Sequence, residues 1–196
     1  MSKARFEAFT DAVIAIVVTI MVLELHVPEH PTFQALFEKA PYFFAYIVSS
    51  IFVGTAWYNH HYMTTIVQHI SKKIYWLNNF WLFSMSLIPL ATGWVGEYIN
   101  YRDPEIFYLL VFVFWGFTYT LLSKAVYQQL KAEDNQPERI HNMPIYQKLT
   151  SYSYIIFLVI VFTLVLIYPP LGIISTLLIV INYAFRTTRD SDQLDN

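Results

Sequence analysis

Stretches of apolar side chains long enough to cross a bilayer recur six times in this chain, over residues 5–25, 41–69, 74–98, 105–130, 149–168 and 171–185. A spanning helix needs about 20 mostly apolar residues. Inside lipid every backbone N–H and C=O must be bonded within the protein, and a helix meets that demand segment by segment. The second stretch turns polar at its far end, and the sixth is short for a span. The breaks between them are polar or carry proline: Pro28 and Pro31, the basic turn Ser71–Lys73, Pro104, the long polar run 131–148, and Pro169–Pro170. Neither residue of the last pair can continue the helix before it. The expected fold is therefore an all-α membrane protein, one six-helix domain over residues 1–196.

Composition points the same way. Of the 196 residues, 56% are hydrophobic and 13% charged, where a soluble domain carries about a quarter charged. A net charge of -2 offers nothing to nucleic acid. The absence of cysteine excludes disulfides and thiolate metal sites. Glu7 and Asp11 interrupt the first stretch, and no small-residue cleavage site follows it, so it reads as a helix rather than a leader. No zinc-protease, nucleophile-elbow or phosphate-loop motif is present, so an enzyme is not expected.

The loops orient the helices. Of the twelve Lys and Arg residues, ten fall on one side if all six stretches cross: Lys3, Arg5, Lys72, Lys73, Lys124, Lys131, Arg139, Lys148, Arg186 and Arg189. Only Lys39 and Arg102 fall on the other. Basic residues favour the cytoplasmic side, which puts both termini there.

Polar side chains inside such helices are costly and mark functional or structural positions. Asp11 on the first helix, His60 and His61 with Trp57 on the second, and Asn78 and Asn79 on the third lie at similar depths. They are expected to meet in one buried layer. Its simplest role is a structural clamp. A proton relay through the histidines and a metal site are the alternatives, the latter disfavoured because adjacent His60 and His61 point about 100° apart. On the first helix, Phe9, Ala12, Ile16, Thr19 and Leu23 follow the alternating three–four spacing of one stripe. Asp11 lies about 140° from Ile16, so clamp and stripe are expected on opposite sides. By itself the stripe fits helix packing or lipid contact.

Arg5-x3-Phe9-Thr10-Asp11 followed by Ala12-Val13-x-Ala15-Ile16-x2-Thr19 resembles the first-helix signature of the transmembrane protein 175 family of potassium channels, with Thr10 in place of the usual Ser. Trp57-x2-His60-His61 resembles its second-helix motif. Asn78 with Pro89 and Thr92 is similar to its third-helix pattern. The resemblance implies a channel without a P-loop filter, in which the first helix of each repeat lines the pore. Ile16 and Leu23 would form apolar constrictions, and Thr19 a hydroxyl ring for selectivity. Arg5, Phe9, Thr10, Asp11, Trp57, His60, His61 and Asn78 would hold that helix in place. One repeat per chain implies a homotetramer in a bacterial plasma membrane. Potassium is the permeant ion, and no cofactor or further metal is implied. The competing expectation is a proton-coupled secondary transporter using Asp11 and the histidines.

Overall fold

A computed structural model describes residues 2–186 and contains ten helices among them. Arg189, counted above with the cytoplasmic charges, lies outside the described residues. Helix α1 is Lys3–Leu23. A short α2 (Phe33–Glu38), capped by the Thr32 hydroxyl, leads into α3 (Ala40–Thr65), which starts with Pro41 in its first turn. Next come α4 (Lys72–Ser86) and α5 (Ile88–Glu97). The longest helix is α6 (Arg102–Ala132), with Asp103 and Glu105 in its first turn and Lys131 in its last, each suited to the helix dipole. Two short helices follow, α7 (Glu138–His141) and α8 (Pro144–Leu149), then α9 (Tyr152–Ile167) and α10 (Leu171–Arg186).

Three of these helices, α1, α3 and α6, are individually long and apolar enough to cross a membrane. That corrects the expectation of six spans: only the stretches 5–25, 41–69 and 105–130 correspond to one helix of that length. The stretch 74–98 is broken at Leu87 into α4 and α5. Pro89 has no N–H to give the Met85 carbonyl, so the helical ladder stops there. The Ser86 hydroxyl does not repair the gap, because it bonds the Phe83 carbonyl at 2.7 Å. Helices α9 and α10 are apolar but have only 16 residues each, about 24 Å of helix against a hydrocarbon core of about 30 Å.

Helix α3 packs on α1, α5 and α10, and α6 packs on α4, α5, α9 and α10. Large rings fill the centre. Phe52 meets Trp115 edge-on at 4.7 Å, and Trp115 stacks on Tyr119 at 5.3 Å. Trp81, Met21, Met63 and Met85 are fully buried beside them. Lipid tails are as apolar as leucine, so hydroxyl bonds between helices supply directional glue. Ser84 of α4 and Thr118 of α6 are 3.0 Å apart. Ser49 of α3 lies 2.7 Å from Thr92 of α5 and 3.0 Å from the Tyr108 hydroxyl of α6.

Glu105 is the most conspicuous buried acid. It has no solvent exposure, and its Oε2 accepts the backbone N–H of Ile173 at 2.9 Å. At the start of α10 the Leu171 and Gly172 N–H groups bond the Tyr168 and Pro169 carbonyls, and the Glu105 carboxyl group of α6 takes the next one, on Ile173. A side chain at Gly172 would run into Glu105 Oε2, which is why that position carries none.

Candidate functional site

The first turns of α1 meet α3 and α4 through two separate polar contacts. The inner one is fully buried. Asn78 Nδ2 donates to Thr10 Oγ1 at 2.9 Å, and Asn78 Oδ1 pairs with His60 Nε2 at 2.7 Å. Because Oδ1 can only accept, His60 carries its proton on Nε2. The imidazole lies flat on the Trp81 indole, with centroids 4.6 Å apart and planes at 2°, and close to the Phe6 ring. Thr10, His60 and Asn78 thus tie three helices together with no polar group of the triad facing lipid.

The outer contact is exposed on the isolated chain. Trp57 Nε1 donates to Asp11 Oδ1 at 2.8 Å, and the Trp57 ring stacks on His61 at 5.8 Å. The single buried layer anticipated from helix depth is therefore divided. Asp11 is exposed, and Thr10, one residue before it, is the side chain that enters the core. Asn79 and Asn59 take no part, since each amide bonds a carbonyl one turn back in its own helix at 2.8 Å. Arg5 and Phe9 are exposed, and among the described residues Arg5 has no ion pair. A lysine assists at the helix end: Lys3 Nζ donates to the Thr65 carbonyl at the C-terminus of α3 at 3.0 Å, where the dipole favours a cation.

The rest of α1 divides cleanly. Phe6, Thr10, Ile14, Val17 and Met21 are buried against the bundle. The stripe named from the sequence is uncovered, with Ile16 55% and Leu23 78% exposed. Ala12 and Thr19 of the same stripe are also exposed. The exposed face spans about half the helix circumference, and it includes Asp11 at one edge as well as the stripe. Acid and stripe thus share one exposed face, where opposite sides were expected. Thr19 donates its hydroxyl hydrogen to the Ile16 carbonyl at 2.8 Å. Its oxygen lone pairs remain free to accept a water or face a cation.

Among the described residues no group of three or more His, Asp or Glu side chains is placed to hold a metal ion. Two functional-looking features escaped the sequence reading. Glu105 carries no signal in the sequence beyond its place at the start of the stretch 105–130. The Ser49–Thr92–Tyr108 chain gives no periodic signal at all.

Comparison with known proteins places these features in a family. A family model described as the endosomal/lysosomal potassium channel TMEM175 matches residues 5–89, the segment that carries every residue of both contacts. A potassium channel from Chryseobacterium sp. is 37% identical over 173 residues, covering 88% of either chain. The endosomal/lysosomal proton channel TMEM175 of Homo sapiens is 33% identical over 103 residues, 46% of this chain and 20% of that one. The crystal structure of a lysosomal potassium-selective channel TMEM175 homolog from Chamaesiphon minutus shares the fold, with a TM-score of 0.76 at 23% identity over 97% of this chain and 98% of that one. With that likeness over nearly its whole length, the chain belongs to the TMEM175 potassium-channel family.

Proposed function

We propose that this chain forms a potassium-permeable channel of the bacterial plasma membrane, a single six-helix domain with both ends cytoplasmic. In this reading four copies place α1 around a central pore. The broken pair α4–α5 makes one crossing, and α9 and α10 make one each.

The observation that carries the reading is the uncovered half of α1. Its exposed face holds Asp11 beside the apolar stripe. A carboxylate at that depth is expensive against lipid, so the face belongs against water or neighbouring copies rather than hydrocarbon. The opposite face is locked to α3, α4 and α5, which gives α1 the rigidity a pore wall needs. In the proposed assembly Ile16 and Leu23 form rings that offer an ion no ligands, and such rings gate by width and dewetting. Thr19, one turn from Ile16, supplies hydroxyl oxygens beside the ring and favours potassium modestly. The Thr10–Asn78–His60 and Asp11–Trp57 contacts set the tilt of α1, with Arg5, Phe9 and His61 flanking them.

A proton-coupled transporter working through Asp11 and the histidines finds less support. Asp11 is held by an indole, which relays no proton, and His60 by an amide, which does not titrate. In liposomes, the wild-type chain is expected to pass potassium down its gradient. Ile16→Asn is expected to raise that flux about tenfold and to erode discrimination against sodium, as a wetted ring would. Unchanged flux and selectivity in that variant would remove Ile16 from the constriction.

A further inference from the structure

At the basic end of the bundle a cavity of about 380 Å³ opens between α9 and α10, within the range that holds small ligands. Lys148 and Arg186 stand at its rim. Lys148 makes one long bond to the Ser153 hydroxyl at 3.3 Å, and neither cation has an anionic partner among the described residues. Among the described residues no carboxylate lines the cavity. Deeper in the wall are Tyr154 and Tyr183, 7% and 9% exposed, whose hydroxyls are buried without a hydrogen-bond partner among the described residues. Asn182 adds an amide. Buried hydroxyls of this kind are almost always bonded; these two lie behind the cavity wall, closed to water, and would meet an occupant by turning outward.

The surroundings say where that occupant comes from. Phe157 and Leu178 form an apolar wall on the outer side. Beyond it Ile155, Ile156, Val159 and Ile160 of α9, and Ile174 and Phe185 of α10, are exposed. Rim and tail requirements thus coincide: two cations and three polar side chains for a headgroup, then an apolar surface for acyl chains. We propose that this cavity holds the phosphate headgroup of an anionic phospholipid from the cytoplasmic leaflet, with Lys148 and Arg186 pairing its charge. Basic pockets between spanning helices on that side suit such headgroups. Tyr154, Tyr183 and Asn182 bond its oxygens. The site lies apart from α1 and does not depend on the pore assignment.

Native mass spectrometry of the full chain in detergent tests this with phosphatidylglycerol and phosphatidylcholine of identical acyl chains. Wild type is expected to retain the anionic lipid roughly five- to thirty-fold over the zwitterionic one, the effect of one or two cations near a phosphate. Lys148→Gln/Arg186→Gln is expected to abolish the preference. Tyr154→Phe/Tyr183→Phe is expected to keep the preference but lower retention several-fold. Inorganic phosphate at millimolar concentration is expected neither to bind alone nor to displace the lipid. Equal retention of both lipids by wild type overturns the proposal, as does a preference that survives loss of both cations. Retention insensitive to the two hydroxyls would move the lipid from the cavity to the surface and overturn the assignment. Displacement by phosphate would make the ligand a soluble anion instead.

Discussion

At Asn78 one side chain bonds both other members of the buried triad. Its amide donates to Thr10 and accepts from His60, so no other residue can replace it with a single hydrogen-bonding function. Removing it leaves a hydroxyl and an imidazole N–H buried without partners, at about 1–3 kcal/mol. Asn78→Leu is therefore expected to lower the melting temperature of the purified protein by several degrees. Asn78→Leu combined with Thr10→Val is expected to cost less than the two changes summed, because the second removes an orphan that the first created. A double-mutant cycle on thermal stability reads this directly, and strict additivity would show that the bond contributes nothing. The polar residues of this site stood out in the sequence because lipid makes them costly. Which of two adjacent ones turns inward was not legible. One residue is about 100° of helix, and only the positions of α3 and α4 decide that Thr10 rather than Asp11 enters the core.

Among the elements, α10 depends most on a partner for its placement. Its Leu171 and Gly172 N–H groups bond the Tyr168 and Pro169 carbonyls, and Glu105 of α6 reaches the next one, on Ile173, because Gly172 leaves room. Gly172→Ala is expected to push the carboxylate off Ile173 and destabilise the contact between α6 and α10. Helix propensity alone would favour alanine, so the sign of the change separates the two effects. Adding Glu105→Ala to Gly172→Ala is expected to relieve the clash while leaving the Ile173 N–H without its carboxyl partner, restoring only part of the lost stability in the same thermal assay. A full recovery would mean that this bond itself adds no stability. The break between α4 and α5 belongs to this scale too. Pro89 advertised it, and the structure places it at Leu87, where the residues around a proline lose their place in the ladder. The hydroxyl pairs that then hold α5 against α3, and α4 against α6, had no pattern to betray them. Each is a single Ser or Thr meeting another across a helix boundary.

For the whole molecule, the deciding feature is what a single chain leaves bare. Half of α1 is uncovered while its other half is packed. In the proposed tetramer that bare face looks onto water and neighbouring copies. The chain contains no cysteine, so a lone introduced thiol reports its own surroundings. Ile16→Cys and Leu23→Cys are expected to react with a charged, membrane-impermeant thiol reagent and to lose potassium flux on modification. Leu178→Cys, on the outer face of α10, is expected to react slowly and without effect on flux. Labelling of Leu178→Cys alone would place α10 rather than α1 at the aqueous pathway.

The linear order of apolar and polar residues determined that this is an all-α membrane protein. It also determined where most helices stop, and which side chains are too costly for lipid to be there without a role. Those properties follow from local composition, since the bilayer acts on each segment in turn. Only the tertiary structure decided that three helices are individually long and apolar enough to span, that the polar layer is split into a buried triad and an exposed pair, and that Glu105 bonds the first turn of a helix 68 residues away. These outcomes depend on which faces meet, and a helix face acquires its neighbours only when the other helices are in place.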